Sequence, residues 1–333
     1  MECGLVTADS IIRRPETFGE RIEFNLDDPG LAARDHWSDY VAGVAVNLER
    51  AGWKPRGANL NICGTIPIGA GLSSSAAIEV ATGLALLANS AHAVDCVELA
   101  KLCQHAENEF VGIRCGIMDQ FVSCHGREGK ALLLDCRSLE FQYLPINSDV
   151  RLVICNTMVK HELAASEYNQ RRAECEAGVQ HLAQRIRGVR ALRDVTERDL
   201  ELHGTRLPEP VYRRCRHVIS ENTRVIKAAA ALEQGNLDDF GKLMNESHLS
   251  LRDDYEVSCP ELDLMVELAR PMPGVFGARM TGGGFGGCTI NLVKAEHADE
   301  FRSALRQHYL EATGVAPEIY VSGAAAAAGE VFQ

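Results

Sequence analysis

Positive charge is scarce in this chain. Its 34 lysines and arginines stand against 46 aspartates and glutamates, which leaves a net charge of −12 over 333 residues. A nucleic-acid scaffold needs a basic footprint, so that class is excluded, although a local site for a nucleotide is not. Also missing is any Cys-x-x-Cys pair, because the 12 cysteines are scattered. That excludes a zinc ribbon, and with no visible secretory leader it points to a reducing compartment, hence a cytoplasmic protein. The opening Met-Glu-Cys-Gly-Leu-Val has neither a basic n-region nor an apolar core of leader length. No apolar run is long enough to span a bilayer, so no membrane partner is expected. His161, His203, His217 and His248 lack metal-ligand spacing. There is no internal repeat, and the one low-complexity patch, Ala324 to Ala328, reads as a loose tail.

What remains is an ordinary globular composition, 46% hydrophobic and 24% charged. The length suits two domains, each with its own core. No Pro/Ser-rich linker marks the boundary. A restart of the pattern at Arg151 sets it at 1–149 and 150–333.

The most informative stretch is Pro67-Ile68-Gly69-Ala70-Gly71-Leu72-Ser73-Ser74-Ser75-Ala76-Ala77. An alternating strand precedes it, from Ala58 to Cys63, and a helix too apolar for exposure follows it, from Ala76 to Asn89. Glycines let backbone N–H groups approach a ligand closely. The serines are read as a helix cap and as hydroxyls beside the unpaired first N–H groups. With no acid in its first turn, that helix start suits an anion, most plainly phosphate. A purely structural turn fits the bare pattern equally well. A P-loop does not, because no Gly-Lys-[Ser/Thr] follows, and a dinucleotide fold lacks its third glycine here.

Along the chain, Arg21 to Leu26 alternates as a strand after a start with little pattern. A helix is expected from Asp35 to Ala51, with Trp37 as a core anchor. Another runs from Asp95 to about Phe110 and carries Glu107 and Glu109 in its last turns. In Cys115-Gly116-Ile117-Met118-Asp119-Gln120, Asp119 opens a short helix. It reads either as a dipole-complementing residue or, among apolar neighbours, as a candidate acid or base. Ala131–Cys136 and Glu140–Ile146 form a hairpin, and Leu152–Cys155 is a buried strand. A polar loop is expected from Asn156 to Ser166, then mostly helix from about Asn169 to Ala269. Glu167 with Arg171 reads as an i, i+4 helix pair, and Arg252-Asp253-Asp254-Tyr255 as charges capping and solvating a helix end. Five glycines among the six residues Gly282–Gly287 leave the backbone bare for close approach to a ligand or another segment, and the strand Thr289–Val293 follows. A helix from Ala295 to Glu311 and a strand from Glu318 to Val321 complete an α+β half.

Four segments in order resemble one family. They are the Gly-Leu-Ser-Ser-Ser turn, Cys115 to Gln120, Ser166-Glu167-Tyr168-Asn169-Gln170-Arg171-Arg172, and Thr281-Gly282-Gly283-Gly284-Phe285-Gly286-Gly287-Cys288. Together, from about Arg21 to Val321, they are similar to the galactokinase branch of the GHMP small-molecule kinases. The resemblance implies an α+β fold: an N-terminal domain like domain 2 of ribosomal protein S5, a ferredoxin-like C-terminal domain, and a site in the cleft between them. It implies transfer of the γ-phosphoryl group of ATP to the anomeric hydroxyl of galactose. Carried over, the backbone of Gly69, Ala70, Gly71, Leu72, Ser73, Ser74 and Ser75 would cradle the phosphates. Ser74 or Ser75 with Glu107 would hold Mg²⁺. Asp119 would face the sugar hydroxyl as base or electrostatic orienter, and Tyr168 and Gly116 would lie at the sugar. The loop with Gly283 and Gly284 would close over the reacting groups, and Trp37 would border the adenine.

One departure stands against these agreements. The family opens with Gly-Arg-x-Asn-x-Ile-Gly-Glu-His-Thr-Asp-Tyr, and no such string occurs here; Gly19-Glu20-Arg21 has no His-Thr-Asp-Tyr continuation. The resemblance gives that motif the sugar grip and an arginine beside the transferred phosphate. The expectation for the chain as written is a weak or inactive kinase with a partly uncovered sheet edge, from a truncated gene or a start placed too far downstream. The alternatives are a GHMP kinase for another sugar, such as N-acetylgalactosamine or galacturonate, and a non-catalytic sensor of ATP and sugar.

Overall fold

The structure, a computed structural model, describes residues 2–5, 19–28, 30–160 and 164–330. It falls into two compact units. One comprises Met1–Ile68, Leu72–Tyr143 and Ala325–Gln333; the other comprises Gly69–Gly71 and Leu144–Ala324.

The first unit is built from β1 (Glu2–Leu5), α1 (Ser38–Arg50), β2 (Leu60–Cys63), α2 (Ser74–Asn89), α3 (Cys96–His105), α4 (Met118–His125), β3 (Lys130–Leu134) and β4 (Phe141–Pro145). β1 pairs antiparallel with β2, Glu2 opposite Cys63, and β3 pairs with β4 as the hairpin expected. Apolar residues at helical spacing put Val44 and Leu48 of α1, Val80 and Leu87 of α2, Leu99 of α3 and Phe121 of α4 into one core. α3 does not stop at His105 but widens into a π-helical turn, Ala106–Val111, which carries Glu107.

Three expectations fail in this unit. Arg21 to Leu26 is not a strand. Its alternation is genuine, since Phe24 and Leu26 pack on the core while Arg21 and Glu23 are exposed, but among the described residues no strand pairs with it. Alternation reports which face is buried; a strand also needs a partner. The start that showed little pattern instead supplies β1. Trp37 is half-buried at the cap of α1, with its indole N–H donating to Glu20 at 3.3 Å, and the tryptophan packed on the core is Trp53.

The second unit contains β5 (Val150–Lys160), α5 (Ala164–Ala183), α6 (Glu197–His203), α7 (Glu209–Glu233), α8 (Leu237–Ser250), α9 (Pro260–Ala269), β6 (Val275–Met280), β7 (Gly286–Lys294), α10 (Ala298–Thr313) and β8 (Glu318–Ser322). Its sheet runs β6-β7-β5-β8 with antiparallel neighbours. Leaving aside α5 to α8, the order β5-α9-β6-β7-α10-β8 is that of a ferredoxin-like sandwich. Val153, Val293, Met265, Phe301, Leu305 and Tyr309 fill its core. The segment expected as a loop from Asn156 is strand as far as Lys160. The sequence disguises this because the strand's inner residues turn polar: Thr157 is buried and its hydroxyl donates to the Gly287 carbonyl at 2.8 Å. His161 lies outside the described residues. The alanine patch is tethered, not loose: Ala327 N–H donates to the Gly126 carbonyl at 2.7 Å and Ala328 N–H to that of Ser123 at 2.9 Å.

Candidate active site

Ser73 precedes α2 in the left-handed region, φ 55° and ψ 37°. Its side chain makes no capping hydrogen bond, so the expected serine cap does not form, and no acidic residue occupies the first turn of α2. The hydroxyl with an assigned partner is that of Ser75, which donates to Glu107. Glu107 is only 5% exposed. It also accepts from the Gln120 amide at 2.7 Å and from the Cys115 thiol at 3.2 Å.

The same Gln120 nitrogen donates to Glu79 at 3.0 Å, so one amide bridges two buried carboxyls. Burial, and then the charge of Glu107, push the Glu79 carboxyl up from 4.5 to about 9. Burial raises Glu107 too, opposed by the Cys115, Ser75 and Gln120 donors. Two like charges so close cannot both be held in a low dielectric. Glu107 has three donors and Glu79 one, so of the two it is Glu79 that keeps its proton at neutral pH. Burial beside this pair also pushes the Tyr40 hydroxyl up to about 12.

Asp119 lies half-buried in the first turn of α4, two residues from Ile117, which is buried. The apolar enclosure expected around it is incomplete: Met118 and Val122 are 58% and 41% exposed. Gly116 is exposed just ahead of this helix.

In the second unit, Gly69 to Gly71 rest against the glycine run. Gly71 and Gly282 both take positive φ, and a Cβ on Gly282 would come within 2.8 Å of the Gly71 carbonyl oxygen. That close approach is what the bare backbone serves. Tyr168, 37% exposed, lies along the same run, its ring 3.6 Å from where a Gly283 Cβ would be.

Glu79, Gln120 and Cys115 went unassigned in the sequence. Glu79 could have been found, since it is the only charged residue in the sixteen of α2. The expected Glu167–Arg171 pair forms, at 3.4 Å, but Arg171 does more: its Nε and second NH₂ group donate to the carbonyls of Tyr255 at 2.8 Å and Glu256 at 2.9 Å. The Arg252–Tyr255 segment does end the helix, with Arg252 paired to an exposed Asp253, but its backbone is held from the interior as well. It forms a π-helical turn, Leu251–Tyr255, and Arg213 and Arg214 donate to the carbonyls of Asp253 and Asp254.

Could this arrangement hold a metal ion? Among the described residues no three His, Cys, Asp or Glu side chains are grouped as a metal site. Mg²⁺ does not need such a group, since it takes one or two carboxylates and fills its shell with substrate phosphates and water. A buried Glu107 carboxyl hydrogen-bonded to Ser75 at the start of a helix suits that role.

The family model for the GHMP kinases N terminal domain matches residues 39–127, and that for the GHMP kinases C terminal matches residues 228–311. A galactokinase of Roseiflexus sp. (strain RS-1) is 48% identical over 296 residues, 89% of this chain and 76% of that protein. One from Chloroflexus aggregans is 47% identical over 310 residues, 92% of this chain and 79% of that protein. The crystal structure of Lactococcus lactis galactokinase complexed with galactose superposes with a TM-score of 0.89 at 38% identity, covering 93% of this chain and 80% of that one. With nearly half of its residues shared across nine-tenths of its length, this chain belongs to the galactokinase family of the GHMP kinases.

Proposed function

We infer that the protein phosphorylates galactose at the anomeric hydroxyl with ATP as phosphoryl donor. The observation that carries this is the identity with galactokinases along almost the whole chain. The bond from the γ-phosphorus to the bridging oxygen breaks, a bond to the sugar oxygen forms, and the hydroxyl proton leaves.

The roles of individual residues are those the family resemblance implies, and the local chemistry supports some of them. The backbone of residues 69–75, with bare glycines and an uncapped helix start, is suited to ATP phosphates. Glu107 with Ser74 or Ser75 would hold Mg²⁺, which when bound neutralises phosphate charge. Asp119 orients the sugar hydroxyl or takes its proton, and Tyr168 and Gly116 line the sugar. Gly283 and Gly284 belong to the loop at the reacting groups, and Trp37 to the adenine. Phosphoryl transfer depends on positioning and charge neutralisation more than on covalent chemistry, which suits a site built from backbone and carboxylates. No helix among the described residues is long and apolar enough to cross a membrane. Eleven of the 12 cysteines are free thiols, which supports a reducing, cytoplasmic setting.

The test is a coupled ADP-release assay with galactose. Wild-type protein is expected to turn over, and Asp119→Ala to lose at least about 100-fold in kcat, the scale of a positioned acid or base. ATP uptake by Asp119→Ala, read by calorimetry, should persist. Turnover unchanged by the substitution would remove Asp119 from the reaction.

A further inference from the structure

The helix formed by α8 and its π-helical turn ends on carbonyls that have no partners further along the helix. Three arginines serve them in succession. Arg213 donates to Asp253 at 2.8 Å, Arg214 to Asp254 at 2.6 Å, and Arg171 to both Tyr255 and Glu256. Cations at a helix C-terminus also oppose its dipole. Arg171 and Arg214 are 7% and 2% exposed, so these are interior contacts.

What those carbonyls lead into matters more. After Glu256, in the left-handed region at φ 54°, comes Val257, whose carbonyl accepts the Phe285 N–H at 2.7 Å. Phe285 is the one side chain within the run Gly282–Gly287, and it holds φ at 59°. A non-glycine residue persists in that region only where its surroundings dictate it. The Arg171 guanidinium lies over its ring, 5.6 Å from the centroid. The neighbouring Gly284 is pressed onto Val257 so closely that a Cβ would overlap the Val257 carbonyl. Arg171 therefore grips the loop twice, through the helix end that carries Val257 and directly through the aromatic face.

We propose that Arg171 is a positioning residue for phosphoryl transfer: a brace that fixes the backbone of the Gly282–Gly287 loop without touching substrate. Tyr168 is one helical turn away on the same helix and lies along the same loop, so α5 presents both a side chain to the loop and the brace behind it. Arginine is required because its planar fork makes two diverging hydrogen bonds while its face stacks on a ring, which a lysine cannot do.

The proposal rests on the phosphotransfer reading above, and the test separates the two. Arg171→Met, Arg171→Lys and Phe285→Leu are compared with wild type by single-turnover kinetics with galactose and ATP, where the amplitude counts folded sites and the rate constant reports the step itself. Hydrogen exchange over residues 281–288 is measured beside it. Arg171→Met is expected to lower the rate constant at least tenfold and to speed exchange of the loop. Arg171→Lys should recover less than half of the loss, and Phe285→Leu should cost three- to tenfold. A rate constant within twofold of wild type for Arg171→Met, with only the amplitude reduced, overturns the proposal. Should Arg171→Met fail to fold, Phe285→Leu decides it, and a wild-type rate there counts against the brace. A wild type with no galactose-dependent turnover defeats the phosphotransfer reading instead, and loop exchange that Arg171→Met leaves unchanged then defeats the brace on its own.

Discussion

Glu79 is the residue whose chemistry is least like its letter. It is fully buried, its Oε2 shares the Gln120 amide with Glu107, and its Oε1 has no hydrogen-bond partner among the described residues. Burial holds it protonated up to about pH 9, whereas in an unfolded chain it ionises near 4.5. The sign of the consequence follows from proton counting. Between those values the folded chain binds the extra proton, so raising the pH favours unfolding, and Glu79 costs stability progressively across that window. Glu79→Gln keeps the neutral shape without the proton. It is expected to leave the melting temperature at pH 5 nearly unchanged and to raise it at pH 8, which thermal melts at the two values would check. Equal shifts at both would mean that Glu79 is ionised in the fold. The sequence offered a hint in the lone charge of an apolar helix. What makes it a neutral acid is burial and then the neighbouring Glu107, against the opposing Gln120 donor, and none of these could be read from that hint.

At the scale of elements, periodicity served the helices well. α1, α2, α10 and the β3–β4 hairpin are where the patterns place them, because an amphipathic stripe or a two-stranded turn is a local property. The failures share a cause. Arg21–Leu26 has a strand's alternation without a strand's partner, and Thr157 belongs to a strand because β7 lies beside it. Pairing is decided far along the chain. The packing of α8 on β6 is a second case of non-local control. Gly241 reads as an indifferent residue in a helix, where alanine would be favoured by about 1 kcal/mol. In the fold, a Cβ there would overlap the carbonyl of Phe276 on β6, and backbone cannot move aside as a side chain can. Overpacking of that kind costs roughly 1–3 kcal/mol or more, so the contact outweighs the propensity. Gly241→Ala is expected to lower the urea midpoint of this unit, followed by circular dichroism; a stabilised variant would show that helix and strand can separate at no cost.

At the scale of the whole molecule, the chain does not divide at one cut. It leaves the first unit at Gly69 for three residues, leaves it again at Leu144, and returns to it at Ala325. The returning segment donates two backbone hydrogen bonds to the end of α4, the helix that bears Asp119. Two such bonds are worth roughly 1–3 kcal/mol together. Deleting residues 326–333 is expected to lower stability by about that much and to speed hydrogen exchange over residues 118–128, while exchange in β5 and β7 stays slow. Unaltered exchange around α4 would make the tail incidental. By itself the sequence determined the chemistry available: a glycine and serine turn leading into an apolar helix, an acid opening another, a second glycine run, and too little positive charge for nucleic acid. These are local strings, and local strings carry backbone freedom and side-chain type. Only the tertiary structure decided which carboxyl keeps its proton, which carbonyls Arg171 holds and where the Ala-rich tail is tied. Each of those depends on burial and on partners brought from distant positions, and neither is written in any single stretch of the chain.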